Sequence, residues 1–182
     1  KRPRKENLVS IEPAKGIAGL KGALRYVRAY RDQIFVIKLG GEVLERPESL
    51  SGVAAQLSLL SSLGVHLVIV HGGGPQASQL TRRLGSEPKM IAGRRVTDDT
   101  ALSAVVMAVA GQLNVQVLSA LRANHVRAIG LSGVDAELVT AHKRPPVEIV
   151  DDNGQTQKVD FGHVGDIDRV DPRVIETLLQ SG

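Results

Sequence analysis

Two apolar runs, each ending in glycines, constrain this chain more than any other feature. Residues 34–41 read IFVIKLGG and residues 66–74 read HLVIVHGGG. Both are short, rich in β-branched residues and bounded by glycine, the pattern of buried parallel strands. Between them Leu50, Val53, Leu57, Leu60 and Leu63 recur at three- and four-residue steps, the stripe of a crossover helix. The stretch therefore predicts a βαβ unit with a glycine-rich turn at the C-terminal end of each strand. Open α/β sheets take their ligands at that edge. Glycines there let backbone N–H groups approach an anion with no side chain in the way.

The rest of the chain fits an α/β class. Before the first run, Ile17, Leu20, Leu24 and Val27 give an amphipathic helix from Ala14 to Asp32, opposed by Gly16, Gly19 and Gly22. Such a face packs on its own domain or builds an oligomer. Gly74-Pro75 opens a helix through Leu84, because proline suits a first helical turn, and Gly85 stops it. A loop follows over Ser86–Arg95, with a short strand near Lys89–Ile91. Thr97 reads as the N-cap of a long, well-buried helix, Asp98–Asn124, with a bend at Gly111. Val126–Leu131 reads as a third buried strand, followed by a turn at Ser132-Gly133. Leu138–His142, Val147–Val150, Thr156–Phe161 and Val164–Ile167 then alternate in polarity. Asn153-Gly154 between two of them signals a hairpin. This predicts an antiparallel hairpin excursion on the edge of the parallel sheet, and a last helix over Pro172–Gln180.

Composition narrows the function classes. At 182 residues and 42% apolar, the chain can bury one good core. Its charge of +4 is partly an end effect of Lys1, Arg2, Arg4 and Lys5, a basic tip. Aromatics are only 2%, which argues against a base-stacking nucleic-acid surface. Without cysteine there are neither disulfides nor thiolate metal sites, as suits a reducing compartment such as the cytoplasm. No apolar run reads as a membrane span or signal peptide.

Few residues have the right context for chemistry. Lys38 ends a buried strand beside Gly40 and Gly41, where its ammonium must reach the ligand edge. It is either a snorkelling lysine or a fixed positive charge at an anion. Gly72, Gly73 and Gly74 are no P-loop, because no Gly-Lys-Ser/Thr follows, and they lack the G-x-G-x-x-G dinucleotide spacing. Arg95 precedes a helix start, where a guanidinium can grip a carboxylate bidentately. His71 could serve as a base or simply end its strand. The other histidines show no metal-ligand spacing, so no protein-bound zinc is expected.

IFVIKLGGEVL, LVIVHGGGPQ, GRRVTD and FGHVGDI, in that order, resemble the amino acid kinase family, and within it the branch acting on N-acetylglutamate. The resemblance runs from about Leu24 to the end. It implies a three-layer αβα sandwich with a mainly parallel sheet, of which residues 34–182 would be the N-terminal, amino-acid-binding lobe. Residues 1–33 would be the basic tip and N-terminal helix. The reaction implied is ATP- and Mg²⁺-dependent phosphorylation of the γ-carboxylate of N-acetyl-L-glutamate, in arginine biosynthesis. Lys38 then matches the lysine that stabilises the transferring phosphoryl group. Gly72, Gly73 and Gly74 match substrate-binding backbone, Gly40 and Gly41 phosphate-contacting backbone, and Arg95 the arginine on the acceptor carboxylate. The LRYVRAYRDQ segment looks like a helix that interlaces dimers into hexamers in arginine-inhibited members. Family members run on past this length, and their further half carries the nucleotide pocket. Val134-Asp135 departs from the Lys-Asp common after the third strand. The same features fit an arginine-sensing domain of an N-acetylglutamate synthase, or of a bifunctional synthase/kinase.

Overall fold

The computed structural model describes residues 22, 24–150 and 156–181. The basic tip, residues 14–21 and 23 of the predicted N-terminal helix, and Asn153-Gly154 lie outside them. Residues 24–30 are helical (α1). Tyr30 packs edge-on against Phe35 at 5.6 Å between ring centroids, which seats α1 on the first strand.

Strands β1 (Ile34–Leu39) and β2 (His66–His71) pair in parallel, Ile34 opposite His66 through Leu39 opposite His71. This is the predicted βαβ, with one difference in its crossover. Pro47 disfavours helical backbone at the residue before it, and Arg46 is extended (φ −111°, ψ 116°). The crossover is therefore two helices, α2 (Gly41–Glu45) and α3 (Pro47–Ser62). The predicted stripe holds: Leu50 and Leu57 are buried, and Val53, Leu60 and Leu63 are half-buried.

Helix α4 (Gly74–Arg83) follows β2. Within the loop predicted over Ser86–Arg95, the short strand expected near Lys89–Ile91 is present and forms half of a hairpin. Strands β3 (Lys89–Ile91) and β4 (Arg94–Val96) pair antiparallel, joined by Ala92 and Gly93 at φ 47° and 72°, the positive φ values of a tight two-residue turn.

The long helix runs 25 residues, Asp99–Ala123. Asp98 rather than Thr97 caps it, its carboxylate accepting from the Ala101 N–H at 2.8 Å. The helix has three parts: α5 (Asp99–Val105), a π-helical stretch (Val106–Leu113) and α6 (Asn114–Ala123). Its buried residues explain the widening. Ala101, Ala104 and Ala108, then Leu113, Val117 and Leu121, are the ones the domain encloses. The steps are three and four residues except from 108 to 113, which is five and falls inside the π stretch. A regular helix would turn Leu113 roughly 140° off that stripe. The expectation of a well-buried helix holds for this stripe and not beyond it, since Val106 is 54% and Val115 58% exposed. By length and composition this helix could cross a membrane, contrary to the sequence reading. Ser103, Gln112, Asn114 and Gln116 interrupt its apolar run without making the helix polar on average. The fold encloses 28% of its most apolar window, the residues of the buried stripe.

Leu39, Leu44, Leu50, Ala54, Leu57, Leu113, Val117 and Leu121 form the core, with Ile37, Leu67, Ile69 and Val126 packed on it. It lies between the β1–β2 ladder and the layer of α3 and α6. The reading of doubly buried strands is corrected on the other face, where Ile34, Val36 and Val70 are exposed. Val126–Leu131 makes no ladder among the described residues, so it is not a strand here. The chain leaves α6 through His125 at φ 61°. Val126 joins the core while Ile129 stays 67% exposed.

The antiparallel excursion exists as predicted, although not on the edge of β1 or β2. Strand β5 (Val139–Lys143) pairs with β8 (Gly165–Val170), and β6 (Val147–Val150) with β7 (Thr156–Val159), as separate two-stranded sheets. Pro145-Pro146 separates β5 from β6, where proline cannot donate to a ladder. Helix α7 (Arg173–Gln180) ends the described chain.

Candidate functional site

Strand register decides which side chains share a face, because opposed residues of a parallel pair point the same way. Phe35, Ile37, Leu39, Leu67, Ile69 and His71 share the core face. Lys38 lies on the opposite, uncovered face, opposed to Val70. His71 and Lys38 therefore leave the sheet on different sides. The His71 ring is held at 3.2 Å from the Gly72 carbonyl, its Nδ1 donating. It lines a mostly apolar cleft of about 330 Å³ beside the π stretch, with Val105, Val109, Asn114 and Leu131.

The glycines of the two turns differ in what they do. A Cβ on Gly73 would lie 2.5 Å from Leu113 Cδ1 and 2.7 Å from Val109 Cγ2. Gly73 therefore lets the second turn press against the π stretch. A Cβ on Gly41 would meet the Pro75 ring at 3.2 Å, an approach that draws the two turns together. Gly40, Gly72 and Gly74 are another matter, since a Cβ on any of them meets none of the described residues within 4 Å. Gly40 has ordinary extended dihedrals, φ −71° and ψ 158°. Neither packing nor, at Gly40, backbone strain requires the missing side chain. What glycine leaves at these positions is bare main chain at the C-terminal edge of the parallel ladder.

Arg95 reaches this edge from β4. Its Nη2 donates to the Gly74 carbonyl at 3.0 Å and to Ser78 Oγ. Its Nη1 is buried without an acceptor among the described residues. Gln76 Nε2 donates across to the Gly41 carbonyl at 3.4 Å, and its Oε1 is likewise buried and unpartnered.

The FGHVGD motif holds the β4–α5 corner. The Thr97 N–H donates to Phe161 O at 2.9 Å, and the His163 N–H donates to Thr97 O at 2.7 Å. Gly162 has φ 73°, and a Cβ there would fall 2.2 Å from Thr97 O, so only glycine fits. Phe161 and Thr97 are both buried at this junction. Asp160 accepts from the Gly162 N–H and from Lys143, which together hold its carboxyl below the ordinary range. The third turn is closed by Asp135, which accepts from the Ser132 N–H at 2.6 Å and its hydroxyl at 2.7 Å, and its pKa is lowered for that reason.

The structure thus gathers Arg95, Gly74 and the Gly41–Gln76 link at one rim and sets Lys38 at the end of the neighbouring strand. Sequence reasoning gave Ser78 and Gln76 no role. Ser78 could have been found from its position one helical turn beyond Gly74. The docking of FGHVGD on Thr97 had no local signal, because the two segments lie 64 residues apart.

A family model described as the amino acid kinase family matches residues 33–182. This chain belongs to that family. It is 43% identical to an acetylglutamate kinase of Myxococcus xanthus over 162 residues, covering 88% of this chain and 53% of that protein. It is 39% identical to an acetylglutamate kinase of Zymomonas mobilis, covering 90% and 54%. Among solved structures it resembles the N-acetylglutamate synthase of Neisseria gonorrhoeae, complexed with coenzyme A and N-acetylglutamate. That match has a TM-score of 0.66 at 28% identity and covers 91% of this chain and 35% of the synthase. The same synthase complexed with coenzyme A and L-arginine matches with a TM-score of 0.61 at 27% identity, covering 91% and 37%. The chain thus spans about half the length of the kinases it matches. The α/β amino acid kinase fold expected from the motifs is the fold it has.

Proposed function

We propose that this chain is the acceptor-binding part of an acetylglutamate kinase. The observation that carries the reading is the rim of Gly40, Gly72 and Gly74. No described residue would meet a side chain there, and Lys38 and Arg95 lie on the strands beside it. The acceptor would be the γ-carboxylate of N-acetyl-L-glutamate, ionised at neutral pH, so no general base is required. One carboxylate oxygen bonds to the γ-phosphorus of ATP while the bond from that phosphorus to the bridging oxygen breaks. An acyl phosphate forms and ADP leaves.

The chain's own residues would align and neutralise. Arg95 and the Gly72–Gly74 backbone would hold the acceptor. Lys38, with the Gly40 and Gly41 amides, would offset charge on the phosphoryl group. These donors suit an anion and not a divalent cation. Among the described residues no three His, Asp or Glu side chains converge as ligands, so Mg²⁺ would enter with the nucleotide's phosphates. Cytoplasmic location, a homo-oligomer and arginine as a feedback ligand belong to the same proposal.

Lys38→Ala should lower ATP-dependent phosphorylation of acetylglutamate by roughly 100-fold or more, while calorimetry shows acetylglutamate binding nearly intact. Equal losses in both would make Lys38 a binding residue. A second reading, the arginine-sensing domain of a synthase, is favoured by the match to the arginine-complexed synthase. Arginine binding without any phosphorylation by the protein would select it.

A further inference from the structure

The arginine proposed to meet the acceptor carboxylate is not held by its own strand. Arg95 leaves β4, and its Nη2 has two acceptors, both on α4. One is the Gly74 carbonyl at 3.0 Å and the other is Ser78 Oγ. The Ser78 hydroxyl, one helical turn beyond Gly74, donates in turn to that same carbonyl at 3.0 Å. Three groups thus close a small cycle: guanidinium to hydroxyl, hydroxyl to carbonyl, guanidinium to carbonyl. Each hydrogen on Nη2 is committed, so the guanidinium cannot swing about its long stem, and its orientation is fixed relative to the glycine rim. The opposite nitrogen, Nη1, is buried and has no acceptor among the described residues. An unsatisfied buried donor of this kind is costly unless something supplies an acceptor.

We infer that Ser78 is a positioning residue for the acceptor site: its hydroxyl aims Arg95 across the head of α4 and fixes the guanidinium beside the glycine rim. The inference rests on the acceptor-binding reading above. It adds to it a residue that touches no reacting atom and sets the geometry of one that does. Serine suits the role because its hydroxyl donates and accepts at once. Alanine could do neither, and threonine could do both.

Two measurements on the protein test this, one of them without ligand. Nitrogen NMR of the Arg95 side chain should show slow rotation about the Cζ–Nη2 bond, at least about 10-fold faster in Ser78→Ala and restored in Ser78→Thr. Calorimetry with N-acetyl-L-glutamate should show Kd rising about 10-fold in Ser78→Ala and recovering to within about 3-fold in Ser78→Thr. In the Ser78→Ala, Arg95→Lys double variant, the serine substitution should add less than about 2-fold to the loss from Arg95→Lys alone. Unchanged rotation in Ser78→Ala, or losses that simply multiply, would overturn the role of Ser78 and leave the function untouched. A wild-type protein with Arg95 fixed but no affinity for acetylglutamate would overturn the acceptor-binding reading, and the purpose assigned to Ser78 with it.

Discussion

The glycine-rimmed ladder and the antiparallel excursion are held together by different forces. Around β1 and β2, eight buried apolar residues from Leu39 to Leu121 make one continuous cluster. Among the described residues from β5 to β8, Val159 and Phe161 are the only buried apolar ones, and the ladders are edged with ion pairs instead. Arg144 grips Asp166 through both Nε and Nη2. Lys143 meets Asp160 at 3.0 Å, and His142 meets Asp168 at 2.7 Å. Exposed pairs contribute little each, whereas buried apolar area contributes in proportion to its extent. The ladder is thus the stable frame, and the excursion is a looser attachment that reaches the frame through Thr97 and Gly162.

The largest expected effect strikes the frame. Leu113→Ala removes a nearly fully buried side chain and should cost about 2–5 kcal/mol in urea unfolding. A smaller loss would mean that the π stretch collapses onto the space left. Next come the glycines, which separate packing from ligand access. Gly73→Ala forces a methyl group against Leu113 and Val109 and should cost about 1–3 kcal/mol. Gly72→Ala meets nothing and should stay within about 0.5 kcal/mol of wild type, while acetylglutamate binding weakens. Should Gly72→Ala leave binding unchanged, the open rim is not the acceptor site.

The smallest effect belongs to the excursion's far end. Asp171 accepts from the side chain and backbone N–H of Arg173, which with Arg169 bring its pKa down from 3.8 to about 2. A depressed carboxyl stabilises the fold fully above its unfolded value, and the contribution is lost as pH falls. The loss should therefore run from about pH 4 to pH 2. Arg173→Ala should move the Asp171 titration, followed by carboxyl NMR, back toward 3.8.

The frame was legible in the sequence because its signals are local. Apolar runs ended by glycine gave β1 and β2, and a three-four stripe gave α3. Gly74-Pro75 gave the start of α4. Features set by distant partners were not legible. Val126–Leu131 has the composition of a strand and forms no ladder, and a strand exists only with its neighbour. Arg95 was identified by its place before a helix, but its grip on Ser78 depends on how the β3–β4 hairpin folds back over α4. Thr97 had the chemistry of a cap, yet its backbone was engaged by Phe161 and His163, so the cap moved to Asp98. The π stretch was hinted at only by Gly111. Its real mark, the five-residue step from Ala108 to Leu113, emerges once burial is known.

That step has a consequence for how length can vary in this protein. Removing a single residue between Ala108 and Leu113 would leave a regular helix and a legitimate-looking sequence. The step from Ala108 would then be four residues, so Leu113, Val117 and Leu121 would stay on the buried stripe, whereas the same deletion in a regular part of the helix would rotate all that follows by about 100°. Losing one residue at this point is therefore the length change that the helix tolerates best. The wider turn absorbs one extra residue and keeps the half of the helix that braces the glycine turn in phase with the half that closes the core.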